Sequence, residues 1–495
     1  MTPDTEMVHI ALSLVSHTNT GKTTLARTLL GRDIGEVRDA AHVTELAEGH
    51  VLIDSPEGDR LSLWDTPGFG DSHRLARRLG QSGNPIGWML TQVWDRFRDR
   101  PLWSSQQAIR NVRERADLVL YLVNAAEDPA DAGYLDPELQ VLDWIGKPVI
   151  VLLNQTGAPR PAEQEAAERA RWRTRLQTSP QVRAVLGLDA FARCWVQEIA
   201  LLDAVAKALP PAQKSGFSRL HAAWRARREA VFGASMQELG RRLARAALDA
   251  EPLPSPRLRD TLRALSGALR GARDDDRIDP ARRAAMRALA ERLDADVRQS
   301  TDRLIAVHEL EGHASQEVLE RLAAHFTMAE PLDEGRAAVL GGLLAGSLAG
   351  LKADLATGGL TLGGGLLAGG LIGALSAAGL ARGYNLVRGA DTATIRWSAE
   401  ILDQLVLAAL LGYLAVAHYG RGRGEWSASE HPPHWEDVLR TAIEPRRAQL
   451  QTLWSARSAA TDPEALAVSL ARELDGIARH ALSLLYPETP LAEVR

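Results

Sequence analysis

Nine consecutive residues, Ser16-His17-Thr18-Asn19-Thr20-Gly21-Lys22-Thr23-Thr24, have the types and order that cradle a phosphate. In such a loop successive backbone N–H groups and a positive helix N-terminus face a β-phosphate, Lys22 supplies an ammonium, and the Thr23 hydroxyl can ligate Mg2+. The glycine that opens the G-x-x-x-x-G-K-[ST] pattern is Ser16 here, so the loop enters its turn without glycine's freedom. Gly21-Lys22-Thr23, nearest the phosphates, are intact. A second cluster, Asp65-Thr66-Pro67-Gly68, lies 43 residues after Lys22. Its carboxylate can hold Mg2+ through water and its glycine N–H can meet a γ-phosphate. Between the two, Thr44 in His42-Val43-Thr44-Glu45 is spaced to close on Mg2+ and the γ-phosphate. Together the motifs point to a bound nucleoside triphosphate.

Positioning these residues requires strand, loop and helix in that order. Val8 to Val15 is an apolar run leading into the first loop, and Leu25 to Leu30 leaves it with helical spacing. Val51 to Ile53 and Leu61 to Trp64 flank Ser55-Pro56-Glu57-Gly58-Asp59 and predict a hairpin whose second strand ends at Asp65. Ala116 to Asn124 and Pro148 to Asn154 are nearly continuous apolar runs, as parallel strands are when both faces are buried. Val182 to Leu188 predicts a further strand, ending at Asp189-Ala190. Residues 1–211 therefore read as an α/β domain, a mostly parallel sheet flanked by helices, with a helical insertion between Asp71 and Arg115 that carries Trp88, Trp94 and Trp103.

Gly21-Lys22-Thr23, Thr44, Asp65-Thr66-Pro67-Gly68 and Asn154 resemble the translation-factor-related P-loop GTPases of the Era and TrmE type. The resemblance covers about 200 of the 495 residues. It implies GTP and GDP as ligands, with residues 16–24, Asp65, Asn154 and Gln155 around the nucleotide. Thr23, Thr44 and Asp65 would organise Mg2+, and Lys22, Thr44, Gly68 and Asn19 would serve hydrolysis. Where the family carries Asn-Lys-x-Asp, this chain has Asn154-Gln155-Thr156-Gly157, and Gly157 offers no acceptor to a guanine. ATP therefore stays open beside GTP. Asp189 and Ala190 stand where the family's fifth motif falls, Ala190 N–H near the base oxygen and Asp189 as a candidate for the missing carboxylate. Phe69 occupies the position of the water-orienting glutamine of Ras-like proteins and can make no conventional hydrogen bond. Asn19 resembles the asparagine with which potassium-dependent relatives hold K+ against the phosphates, and the same likeness implies a homodimer through the GTPase domains as the activating event.

The 58 basic and 63 acidic residues leave a net charge of -5, which gives no footprint for bulk nucleic-acid binding. DNA is not expected as a partner, nor is RNA. Cys194 is the sole cysteine, so no internal disulfide forms, and it reads as a packed apolar residue. Met1 to Glu6 lack a secretion pattern, and a cytoplasmic chain is expected.

Beyond Pro210-Pro211 the pattern predicts helices without strands: an all-α region whose first part is 212–335 and whose C-terminal part is 391–495, with apolar periodicity through 213–250, 257–272 and 280–327. Asp462, Pro463 and Glu464 form a helix start. His308-Glu309-Leu310-Glu311-Gly312-His313 has its histidines five apart, on different helix faces, and is set aside as a zinc motif. Within 336–390, Leu355 to Ala381 are 27 uncharged residues, nine of them Gly, which would span about 40 Å as a helix. Gly342, Gly346 and Gly350, and Gly365, Gly369 and Gly373, repeat every four residues and allow close backbone contact, as in a glycine zipper. A Gly/Ala/Leu-rich helical hairpin turning at Lys352-Ala353-Asp354 is expected, either buried in a soluble core or in contact with a membrane or membrane protein at the cytoplasmic face of the inner membrane. Leu405 to Ala417 offers a third apolar segment. The domain order resembles a bacterial GTPase family whose C-terminal half is a domain of unknown function. Three roles are consistent with this organisation: a nucleotide switch with a helical effector domain, a dynamin-like membrane-remodelling enzyme, and a soluble assembly factor for ribosomes or RNA.

Overall fold

The structure, a computed structural model, describes residues 7–31, 47–80, 83–87, 100–156, 160–190, 194–253, 280–310, 384–388, 393–419, 432, 434–458 and 460–489. Thr44, Gly157, Trp88, Trp94, His313 and the glycine-rich run 337–381 lie outside the described residues. The chain divides into two compact units. The first comprises Met1–Ala230, Ala417–His434 and Leu482–Leu491, and the second Val231–Val416, Trp435–Ala481 and Ala492–Arg495.

The first unit is built on a six-stranded sheet of β1 (His9–Ser16), β2 (Glu48–Asp54), β3 (Arg60–Asp65), β4 (Leu118–Asn124), β5 (Val149–Asn154) and β6 (Val182–Gly187), in the order β2-β3-β1-β4-β5-β6. Only β2 runs antiparallel, paired with β3 across the predicted hairpin. Leu14 lies opposite both Asp65 and Leu120, and Asn124 opposite Asn154, so the chemistry-bearing ends of β1, β3 and β5 finish along one edge. That edge is where an open α/β sheet binds ligands. Both faces are covered. Val119, Tyr121, Val123, Val149, Val151 and Leu153 join one core with Phe69, and Leu118, Leu120, Leu122, Ile150 and Leu152 join the other with Leu25 and Leu29. This period-two split explains why β4 and β5 read as unbroken apolar runs.

Helices α1 (Lys22–Leu30), α2 (Ser72–Leu79), α3 (Arg100–Glu114), α4 (Leu135–Ile145), α5 (Ala162–Leu176), α6 (Trp195–Ala208) and the first part of α7 (Pro211–Leu248) complete this unit. The unit extends past residue 211 because Phe217, Leu220 and Trp224 of α7 are buried in the Leu25 core. There Arg219 also grips the hairpin turn, its Nε and Nη2 at 2.6 and 2.7 Å from the two oxygens of buried Asp59.

The second unit contains the rest of α7, α8 (Pro280–Val307), α9 (Ala399–Ala417), α10 (His434–Ile443), α11 (Arg447–Ala456) and most of α12 (Pro463–Leu485). A Cβ on Gly240 would sit 2.5 Å from the Ala467 carbonyl, so α7 and α12 approach as closely as glycine allows. Asp462 caps α12 as the sequence predicts, accepting from the Glu464 N–H at 3.2 Å. Two expectations are corrected. The region is not purely helical, since β7 (Ala250–Pro252), β8 (Tyr384–Arg388) and β9 (Ala393–Trp397) form an antiparallel sheet in the order β7-β9-β8. β8 lies within the range assigned to the glycine-rich hairpin. The helix expected over 280–327 stops at Val307, followed by Glu309 at φ 57°, a left-handed residue that cannot continue it. His308 lies 3.2 Å from Ser235 Oγ in a hydrogen bond, a structural use of a residue from the rejected zinc motif.

Candidate nucleotide site

The first loop runs from Ser16, the last residue of β1, to Lys22, the first of α1. Gly21 adopts φ 85°, and a Cβ there would lie 2.7 Å from Asn154 Nδ2, so both backbone conformation and space demand glycine. At Ser16, where glycine is usual, the side chain has work of its own: its Oγ accepts from Lys22 Nζ at 2.8 Å and also bonds Thr20 Oγ1. Lys22 is buried, and burial pushes its ammonium below the usual range, partly offset by the charges of Asp65 and Glu138. A buried cation in this state gains from an incoming anion. Thr24 is buried within α1, Thr18 is half-buried, and Asn19 is exposed at φ 62° with no side-chain hydrogen bond among the described residues.

Thr23 and Asp65 meet directly, the hydroxyl donating to Asp65 Oδ2 at 2.5 Å. Asp65 Oδ1 is buried and without a hydrogen-bond partner among the described residues. Burial is the largest influence on this carboxyl and raises its pKa to about 6, against the hydrogen bond from Thr23 and the charge of Lys22. A hydroxyl beside a carboxylate oxygen lacking a partner is a hard-oxygen donor pair that fits Mg2+, with phosphate oxygens and water completing the shell. Gly68 closes the other side. A Cβ on it would lie 3.1 Å from both Lys22 Nζ and Thr18 Cα. Phe69, next in the chain, turns into the core and donates its N–H to the Ser16 carbonyl at 2.9 Å.

On the base side Asn154 joins two loops, donating from Nδ2 to the Thr20 carbonyl at 2.7 Å and accepting the Ala190 N–H on Oδ1 at 2.8 Å. Gln155, at φ 58°, reaches the Asn19 carbonyl at 3.5 Å. Asp189 accepts from both the N–H and the hydroxyl of Thr156, at 2.7 and 3.0 Å. A carboxylate is thus present between the fourth- and fifth-motif loops, after β6 instead of after the neighbouring β5 as in the family pattern. Thr28 Oγ1 donates to the Ala190 carbonyl at 2.9 Å and fixes that loop to α1.

Sequence reasoning missed Glu138. Fully buried in α4, it accepts from Tyr121 OH at 2.7 Å and from Ser72 Oγ at 2.5 Å, and it pairs with His17 Nδ1 at 2.7 Å. The Asp136 and Glu138 pair in a first helical turn reads as an ordinary complement to the helix dipole, so no local signal marks it.

Comparison with known families agrees with this geometry. The family described as 50S ribosome-binding GTPase matches residues 11–155, and the domain of unknown function DUF3482 matches residues 175–483. No curated protein matches the chain. Among solved structures, Era in complex with MgGDPNP and a segment of 16S ribosomal RNA is 19% identical, with a TM-score of 0.31 over 41% of this chain and 58% of that one. Era of Aquifex aeolicus bound to GDP and AlF4− is 18% identical, with a TM-score of 0.29 over the same shares, 41% and 58%. The bacterial selenocysteine-specific elongation factor is 15% identical, with a TM-score of 0.25 over 41% of this chain and 29% of that one. This chain therefore spans little more than half the length of the Era structures. The GTPase family implies GTP binding and hydrolysis with Mg2+. The chain belongs to the DUF3482 family, its DUF3482 domain preceded by a segment that matches the GTPase family model.

Proposed function

We propose that the chain is a guanine-nucleotide switch whose G domain drives the DUF3482 helices, and that Asp189 supplies the base-reading carboxylate. The observation that carries the reading is the convergence of Lys22, Thr23, Asp65 and Gly68 at the edge where β1 and β3 end. Lys22 would hold the β- and γ-phosphates, Thr23 and Asp65 would organise Mg2+, with Thr44 as a further ligand, and the Gly68 N–H would sense the γ-phosphate. Asp189, buried and anchored by Thr156, is supported as the acceptor for guanine N1 and N2 because Gly157 has no side-chain acceptor. Discrimination follows from the cost of leaving a buried polar group unmatched, about 1–3 kcal/mol. The test is displacement of fluorescent GDP. GTP should displace it and ATP should not, and Asp189→Asn should move preference from GTP toward xanthosine triphosphate. Equal displacement by ATP would remove the guanine assignment.

Three finer elements belong to the same proposal. Asn19, exposed and without a side-chain partner among the described residues, is suited to hold K+ against the phosphates. The uncharged run from Leu355 to Ala381 supports a membrane-contacting role for the helical region, although its nine large aliphatics favour insertion by only about 3–5 kcal/mol, and a homodimer through the G domains would activate turnover.

A further inference from the structure

Glu138 takes donors from three separate segments: His17 of the phosphate loop, Ser72 at the start of α2, and Tyr121 of β4. A fully buried carboxylate is tolerated only with such partners, and here they include the phosphate loop and the helix that follows the Asp65–Gly68 segment. We propose that Glu138 is a positioning residue for GTP hydrolysis, locking the phosphate loop to the Asp65–Gly68 segment and so fixing the Gly68 N–H against the γ-phosphate. This rests on the GTPase reading given above.

The chain after Gly68 is pinned at three points. Phe69 N–H meets the Ser16 carbonyl at 2.9 Å, Gly70 N–H meets Ser105 Oγ at 3.1 Å, and Ser72 Oγ meets Glu138 at 2.5 Å. On the loop side, His17 stands between Ser16, whose hydroxyl holds Lys22, and Thr18, whose Cα faces Gly68. The His17 ring is stacked on Tyr134 with centroids 4.7 Å apart and an 18° tilt, which fixes the direction of its Nδ1 toward Glu138. Phe69 buries its ring, so no polar side chain stands directly after Gly68 to orient water, and the placement of backbone groups there gains weight. Lys22, Thr23 and Asn154, which grip the nucleotide, make no hydrogen bond to Glu138. Loosening the lock should therefore act in the transition state more than in binding.

Ser72 variants test this without removing the Glu138 charge from the vicinity of Lys22. Single-turnover GTP hydrolysis, KM, GDP affinity and Tm are measured for wild type, Ser72→Ala and Ser72→Thr. Ser72→Ala should lower kcat at least fivefold with KM and GDP affinity within twofold of wild type, Tm falling only by what the loss of one of three partners to Glu138 costs, and Ser72→Thr, which keeps the hydroxyl, should recover most of the loss. Unchanged kcat in Ser72→Ala would overturn the inference, as would a parallel fall of kcat, GDP affinity and Tm, which would mark a purely structural bond. A wild-type protein that binds GDP yet turns over no GTP would instead overturn the GTPase reading itself.

Discussion

Burial of Asp65 raises its pKa to about 6, so the residue that would hold Mg2+ takes up a proton within an accessible range. A metal ligand must be ionised, and binding therefore releases that proton. Mg2+-dependent GDP affinity is expected to be flat above pH 7 and to fall up to tenfold per unit below about pH 6, read by calorimetry in buffers of different ionisation enthalpy. The sign for folding is opposite. A raised carboxyl pKa favours the native state at low pH, and that contribution is lost as pH rises from the unfolded value, about 4, through 6, so the metal-free protein gives up stability here that Mg2+ returns. At Asn19 the expected outcome is faster GTP turnover in K+ than in Na+, with the difference abolished by Asn19→Ala; equal rates in all four measurements would remove the K+ role. That Lys22, Thr23, Asp65 and Gly68 come together was legible because each motif is local and follows its own strand. Glu138 was not, because its partners at 17, 72 and 121 are far apart in sequence and meet only through the sheet.

At the scale of elements, the β2–β3 hairpin and the N-terminal part of α7 are joined by one buried ion pair. Asp59 accepts both Arg219 nitrogens, the Val8 N–H at 2.9 Å and Ser55 Oγ at 2.9 Å, and the Arg219 hydrogen bonds hold its pKa down to about 2. A depressed carboxyl pKa contributes stability that is present above about pH 4 and lost as pH falls through 2. Arg219→Met should leave a buried charge uncompensated and cost about 3 kcal/mol in urea unfolding, while Asp59→Asn with Arg219→Met should recover part of that loss. Strand and helix order in the first unit followed from periodicity, because both faces of β4 and β5 are buried and α1 begins at the loop lysine. The β7–β9 sheet was illegible. β7 has three residues ending in proline, and its partners lie more than 130 residues onward, a pairing that no local pattern announces.

For the molecule as a whole, the open question is what the helical region acts upon. Ala399–Ala417 is long and apolar enough to cross a membrane, yet 67% of its apolar window is buried inside the fold, as in the core helix of a folded domain. Membrane contact thus rests on residues 355–381. Carbonate extraction of cell fractions should leave the full chain in the pellet if that run inserts, and complete release would exclude integral insertion. Co-sedimentation with ribosomes that is lost at high salt would instead favour the assembly-factor role. Whichever partner is found, each of these roles requires a working G domain. Phosphate release from GTP by the full chain is the direct measurement, with wild type and Lys22→Ala compared with and without Mg2+. Turnover by wild type that requires Mg2+ and falls at least a hundredfold in Lys22→Ala is predicted, whereas turnover equal in the variant, or none in wild type under saturating GTP and Mg2+, would contradict it.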